Sequence, residues 1–590
     1  MAIMTRWRAP AGPEAPSGVR RRPSPTVVVA GLVVLVFAAL AWQRLWISDD
    51  GLIVVRVIRQ ILDNSGPNYN PFQRDEVNTS VLWTWLGALV ALVAPGKDEA
   101  EQLVYFGVLV SAAGLALGLA GAVRFQRSRG ERGLVLPAGA LVVVGVCAFW
   151  DFASSGLETS LCLLWLGLLS TLLATTDETT GRGRLLGTAV LIGLGPLVRP
   201  DLGLVTAVLG VALLLLVRPR LPRALGLIGA AAVLPVGYEI FRAGYYGILV
   251  PMPALAKEAS KSLWGRGFMY LWDFVGTYYL YVPALVLAGL AGWLLRRRAD
   301  RRALIFFGAP LLSGLLLALY ILRVGGDYMH ARMWLPAVFA VLLPLMAVPV
   351  GRGRQLGTAG VALLAVWAVV AAVHARPPYS GQTYGPGGIV DEREYEMVAF
   401  GVERPITRDS RFQARALRDG LRPYFKADER WLILSTGPMA NGPTRKFPMS
   451  PDIPDFSAFS YSNMGIADYI APLYTTVVDV NGLATPLAGH LIVNQPGRPG
   501  HEKWLPAAWV LALYGDPARI AVMPDHPDAG RAETEAALRA LKCGELKELQ
   551  DSVSAPLTPS RFWANLVGSP ARTLLRVPAD PFAAEKRFCG

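Results

Sequence analysis

Long apolar runs broken by short basic stretches fill the first two thirds of this 590-residue chain. TVVVAGLVVLVFAALAWQRLWI (26–47) and LVYFGVLVSAAGLALGLAGAV (103–123) run close to the roughly 20 apolar residues that a hydrocarbon core about 30 Å thick demands of a helix. With further segments at 134–150, 157–175, 184–198, 202–217, 224–241, 271–295, 303–322, 332–350 and 356–374, the pattern predicts about eleven spans. After residue 374 it changes. WLILST (431–436) and LYTTVVDV (473–480) read as strands and AETEAALRALK (532–542) as a helix. The expected fold is therefore a polytopic α-helical membrane domain at 26–374, a Pro- and Gly-rich linker at 375–390, and a mixed α/β domain at 391–590.

Charge orients these segments. RFQRSRGER (124–132), GRGR (181–184), VRPRLPR (217–223), RRRADRR (296–302) and GRGR (351–354) all fall on the side of the basic N-terminus, which the positive-inside rule makes cytoplasmic. The alternation holds only if VNTSVLWTWLGALVALVAP (77–95) does not cross, so it is expected to be a juxtamembrane or re-entrant helix within a long outer loop at 48–102. The sequon Asn78-Thr79-Ser80 inside it is read as chance. Residues 1–25 are a basic, Pro-rich and disordered tail by composition. Trp42, Arg44 and Trp46 anchor an uncleaved first helix. An odd number of spans leaves the C-terminal domain outside, in the periplasmic space of a cell-membrane protein.

Composition agrees with that picture and removes others. The chain is 53% hydrophobic and 17% charged, and its net charge of +13 sits in the inter-helix loops, so it argues for topology and against nucleic acid as a partner. Cys147 and Cys162 lie in apolar helices as small packing residues. Cys543 and Cys589 fall in the outer domain, where they are candidates for a disulfide. No cofactor is evident: there is no Walker loop, CxxC or GxSxG, and the five histidines have no ligand spacing that supports a divalent cation.

The candidate chemistry gathers in the outer loops. WISDDGLIVVRVIRQ (46–60) places Asp49 and Asp50 where the first span ends, at the head of a helix with Val54, Val55, Ile58, Ile61 and Leu62 on one face and Arg56, Arg59, Gln60 and Asp63 on the other. That helix is expected to lie on the outer membrane surface. The two carboxylates either cap it or do chemistry. Arg199, Arg242, Lys257, His330 and Arg332 all fall in outer loops, and such cations suit a lipid-linked phosphate whose charge must be neutralised as its bond breaks. Asp327 lies in a Gly-Gly turn among them, a turn residue or a substrate contact. Ser155-Gly156-Leu157-Glu158 reads as a capping box. Trp431, Trp504, Trp509 and Trp563 of the outer domain suit sugar stacking or a core, and core is the expectation for most of them.

In order along the chain, ISDDGLIVVR, Asn78-Thr79-Ser80, SSGLE, LVRPD, FRAGYYGILVP with ALAK, GGDYMHAR, GIVDER, SNMG, VDVNGLATPLAGH, GHEK and the closing Cys-Gly resemble the signatures of the actinobacterial terminal β-(1→2)-arabinofuranosyltransferases, membrane glycosyltransferases of the GT-C class. The resemblance covers nearly all of the chain after the first 40 residues. It implies a GT-C fold, decaprenyl-phospho-arabinose as donor, and arabinan of arabinogalactan and lipoarabinomannan as acceptor. It implies catalysis by a carboxylate of the first outer loop, here Asp49 and Asp50. From the residues themselves, Arg56, Arg199, Arg242, Lys257, Asp327, His330 and Arg332 are the candidates for the donor's phosphate or sugar. A β-linked donor and a β-linked product imply net retention, whereas lipid-phosphate enzymes of the GT-C class usually invert, so both mechanisms stay open. The competing readings are a transferase for another polyprenyl-phosphate sugar such as mannose, and a lipid-phosphate transporter. Against the transporter, no pair of corresponding broken helices appears in two halves.

Overall fold

Two ends of a helical body are marked out by contacts between loops. The computed structural model describes residues 24–258, 261–379, 381–410, 415–425, 430–435, 444–453, 457–461, 463–495, 497, 500–520 and 530–590, so the tail expected at 1–25 lies almost wholly outside the described residues. At one end the basic loops meet. Arg127 reaches Thr26, Arg354 pairs with Glu131, Arg302 donates to the Ala174 carbonyl, and Arg218 and Arg301 share Glu178. A two-stranded antiparallel sheet, Val135–Pro137 with Ala347–Pro349, ties two of these loops together. The other end joins the remaining loops through Arg44–Asp151, Arg199–Glu158, Arg242–Glu76 and Arg332–Asp50.

Among the described residues six helices are long and apolar enough to cross a bilayer, from Pro25–Gln43 to Gln355–His374, or seven if one bent pair counts as a span. The chain is a multi-pass membrane protein. Eleven spans were expected, and the difference lies in short or broken segments. Thr159–Leu173, 15 residues, rises only about 22 Å, and Gly139–Gly145 and Cys147–Asp151 are separate pieces. Neighbours shield these pieces. A Cβ on Gly167 would lie 2.2 Å from the Gly114 carbonyl oxygen, so Thr159–Leu173 packs backbone to backbone on the long helix Glu99–Ser128. The expected span 271–295 is Trp264–Thr277 and Tyr281–Arg297 meeting at 85°, the first of which lies along the end opposite the basic loops, where Arg266 bonds to the Gly325 and Asp327 carbonyls.

Val81–Val93 is a short apolar helix of 13 residues with Trp85, Leu89, Leu92 and Val93 exposed and Gly87 against Ile58 and Leu103. Asn78 of the sequon donates to the Thr84 hydroxyl that follows it.

Beyond the spans the chain does not pass through a free linker. Tyr379, Ile389 and Val390 are buried in the core of the membrane domain, and the His330 N–H donates to the Val390 carbonyl. The C-terminal domain is built on a four-stranded sheet in which Trp431–Ser435 pairs antiparallel with Thr444–Pro448 and parallel with Ser457–Tyr461, which pairs parallel with Thr476–Asp479. Cys543 and Cys589 are joined in a disulfide. Of the four tryptophans, Trp509 is core, Trp431 and Trp504 are half-buried and Trp563 is exposed.

Between the two domains lies helix Asp49–Leu62. Leu52, Val54, Val55 and Ile58 belong to the membrane-domain core, while Ile53 and Val57 belong to a core shared with Phe425, Ile433, Phe459 and Val477 of the C-terminal domain. The expected membrane-surface position is therefore corrected: the face that carries Arg56 and Gln60 is covered by protein, and both side chains are fully buried.

Candidate functional site

Ser48 caps helix Asp49–Leu62, its hydroxyl accepting the Gly51 N–H at 2.9 Å and donating to the Ser155 carbonyl. The cap is thus supplied one residue before the acid pair, and Asp49 and Asp50 occupy the first turn with their carboxylates directed elsewhere. Their negative charge still suits the helix N-terminus.

Asp49 turns to the C-terminal domain. The Gly465 N–H donates to its Oδ2 at 3.1 Å, and the Asn463 amide, oriented with its nitrogen toward the carboxylate, donates to both oxygens at 2.5 Å. No larger residue fits at 465, because a Cβ there would stand 2.2 Å from Asp49 Oδ1.

Asp50 turns to the membrane domain, where Arg332 Nη1 stands 3.6 Å from its Oδ2. Arg332 also meets Asp327 at 3.1 Å and Glu158 at 3.5 Å. Glu158 lies 3.8 Å from Arg199, which grips Asp201 with two bonds of 2.6 and 2.7 Å. Two guanidiniums here are shared among Asp50, Asp327, Glu158 and Asp201, so both arginines are already committed to carboxylates. Burial pushes the Asp327 carboxyl up, but Lys257, Arg332, the Tyr328 N–H and Arg266 outweigh it and hold the group below the usual carboxylate range. Burial works against the charge on Arg332 as well, and Glu158, Asp327 and Asp50 more than restore it.

Lys257 closes the short helix Met252–Ala256 and stands near Asp327. Among the described residues it makes no ion pair within 4.0 Å, unlike Arg199 and Arg332. Gly500 of the C-terminal domain, with φ +88°, passes so close that a Cβ would lie 3.2 Å from Lys257 Cε, and the next residue, His501, meets the ring of Tyr328 edge-on at 6.1 Å. The site is therefore a seam, with Asp50, Glu158, Arg199, Lys257, Asp327 and Arg332 on one side and Asn463, Gly465 and His501 on the other.

Three candidates lie away from it. Arg56 donates to the carbonyls of Tyr69, Ala471, Pro472 and Thr475 and lies 3.6 Å from Asp468, so it clamps the C-terminal domain to the outer loop. Arg242 forks onto Glu76 at 2.6 and 3.2 Å and bonds Glu239. His330 contacts Asp273 at 2.6 Å, Tyr379 at 3.1 Å and Tyr278 at 3.2 Å, and it lines a different cavity with Asp151 and Asp391. Arg56 and Arg242 are held by protein partners because a buried charge without them is costly.

The capping-box expectation for Glu158 is overturned. Helix Thr159–Leu173 begins after it, Ser155 bonds locally to Phe152 and Leu157, and the Glu158 carboxylate points into the arginine pair. Asp201 and Asn463 were not singled out, although the first follows Arg199 by two residues and the second lies in the quoted SNMG stretch. Among the described residues no three His, Cys, Asp or Glu side chains form a group that could hold a metal ion.

A family model described as the AftB family C-terminal domain matches residues 450–584. A protein of Corynebacterium glutamicum named terminal beta-(1->2)-arabinofuranosyltransferase is 34% identical over 593 residues, covering 92% of this chain and 84% of its own. One of the same name from Mycobacterium tuberculosis is 34% identical over 613 residues, covering 93% and 95%. Among solved structures, ArnT from Cupriavidus metallidurans bound to undecaprenyl phosphate aligns with a TM-score of 0.43 at 12% identity, over 77% of this chain and 89% of that one, a likeness too slight to carry an argument.

Proposed function

The chain belongs to the terminal beta-(1->2)-arabinofuranosyltransferase family, and on that premise we propose that it moves arabinofuranose from decaprenyl-phospho-arabinose to the ends of arabinan, forming terminal β-(1→2) linkages. The observation that carries this reading is 34% identity with two such transferases over more than nine tenths of the chain. The basic loops at one end support placing the opposite end, with the site and the C-terminal domain, on the periplasmic side. The Cys543–Cys589 disulfide agrees with an oxidising compartment there.

In transfer, the bond between the anomeric carbon and the phosphate oxygen breaks, with its electron pair leaving on decaprenyl phosphate. A bond to the acceptor hydroxyl oxygen forms, and that hydroxyl's proton needs a carboxylate. Asp50 takes this part in the proposal. Its side chain is 24% exposed, and its contact with Arg332 leaves carboxylate valence open toward the seam. Asp49 has both oxygens engaged by Asn463 and Gly465 and acts by positioning the first turn. Lys257 neutralises the departing phosphate, with Arg332 behind it. Net retention then requires the acceptor hydroxyl to attack from the face that the phosphate leaves, across an oxocarbenium-like centre, because an Asp50 esterified to the sugar could not also take that proton.

The test is transfer of labelled sugar by lipid-reconstituted protein from decaprenyl-phospho-arabinose to a short α-(1→5)-arabinofuranoside, with linkage analysis of the product. A new β-(1→2) linkage that vanishes with Asp50→Ala is expected. Unchanged transfer by that variant overturns the assignment of Asp50, and no transfer by folded wild type overturns the donor.

A further inference from the structure

Helix Pro559–Leu574 of the C-terminal domain has its polarity inverted. Its buried side chains are polar: Asn565 donates to the Gly244 and Ser552 carbonyls, Arg572 donates to the Gly247 carbonyl and pairs with Glu548, and Ser569 is buried. From Trp563 onward the outward face is Trp563, Ala564, Val567, Pro570, Ala571 and Leu574, at helical spacing and without one charged or polar residue. Trp563, Val567 and Leu574 are 63%, 78% and 79% exposed. A surface helix in water shows the opposite arrangement, and an apolar stripe of this kind marks an interaction surface.

The helix's position identifies the partner. Phe562 fills the notch over Gly244, where a Cβ would stand 2.2 Å from the ring. That notch is at the outer end of Leu221–Tyr245, the candidate span least covered by protein, with 6% of its apolar window buried and Val233, Val236 and Ile240 exposed. The stripe therefore prolongs a lipid-facing surface just beyond the point where a span leaves the hydrocarbon. A helix lying there, apolar toward lipid and polar toward its own domain, is the interfacial arrangement.

We propose that helix Pro559–Leu574 is seated in the outer headgroup–acyl boundary of the bilayer, so that the C-terminal domain holds the membrane through its own helix as well as through the outer loop. The inference is independent of which sugar the enzyme transfers. It is tested on full-length protein in phosphatidylcholine nanodiscs, with a nitroxide at Val567→Cys or Leu574→Cys and a control at the exposed Glu535→Cys in the same domain. Labelling is selective because Cys147 and Cys162 are buried and Cys543 and Cys589 are joined. Collisions with oxygen are expected to exceed those with a water-soluble nickel chelate at 567 and 574, and the ratio to fall several-fold at 535. Nickel access at 567 and 574 equal to that at 535 overturns the proposal. Shielding of 567 and 574 from both reagents overturns it in favour of a protein contact, a second copy or another partner.

Discussion

Asp49 and Asp50 are neighbours that the first helical turn sends to different domains, and their roles separate on that geometry. Asp50→Asn is expected to lower kcat by roughly 100- to 10,000-fold, the usual share of a positioned proton acceptor, with the melting temperature nearly unchanged. Asn463→Ala acts through Asp49. It is expected to lower kcat by roughly tenfold to a hundredfold, the cost of a small misplacement, while KM holds; loss of binding with unchanged kcat would contradict the positioning role. Asp75 gives a pH prediction. Burial pushes its carboxyl up to about 8, against the bonds it accepts from the Tyr69 and Asn70 N–H groups. The folded state then holds a proton that the unfolded state has released, so this contribution to stability is full below about 4 and is lost as pH rises toward 8. The slope is at most about 1.4 kcal/mol per pH unit. Asp75→Asn should flatten the melting temperature between pH 5 and pH 8, and a slope equal to wild type would exclude Asp75 as its source. At this scale the acid pair was legible because two carboxylates at the exit of a span stand out locally. Glu158 was misread for the same kind of reason: its sequence neighbours satisfy a local template, and the partner that claims it, Arg332, lies 174 residues away.

Helix Asp49–Leu62 shows what periodicity conveys about an element. The spacing identified the apolar and polar faces, and the structure keeps both. What covers the polar face was not in the pattern, since carbonyls of residues 471–475 are invisible to it. Arg56→Ala would leave the Ala471, Pro472 and Thr475 carbonyls without their Arg56 donor in a buried seam, and a loss of roughly 3–5 kcal/mol is expected, read as earlier unfolding of the C-terminal domain in a protease-monitored melt. Lysine at 56 should not restore it, because one ammonium cannot match a guanidinium fork over four acceptors. Equal stability of all three proteins would deny Arg56 its clamping role. The segments at 134–150 and 157–175 meet the same limit, since they hold helices of only seven, five and 15 residues. Hydropathy registers that a segment is apolar, and neighbouring helices cover apolar surface as well as lipid does.

For the whole molecule, two devices hold the C-terminal part together and in place: the seam with the membrane domain and the disulfide spanning 46 residues. On a chain-entropy account a loop of that size is worth at most about 4 kcal/mol. Cys543→Ser is expected to lower the melting temperature of the C-terminal domain while leaving Asp50 in place and transfer measurable below the transition; immediate loss of transfer at low temperature would instead tie the disulfide to the site. Apolar runs, basic loops and the order of short motifs determined, from sequence alone, a multi-pass membrane protein with a mixed C-terminal domain, its family, and the acid pair at 49 and 50. These are local or additive properties, since hydropathy sums over a window and loop charge counts side by side. Which domain each acid turns to, which arginines are already paired, and that Asn463 and Lys257 meet the site from opposite domains were decided by tertiary structure alone. Those facts depend on contacts between residues far apart in the chain, and a buried charge takes whichever partner the fold brings within reach.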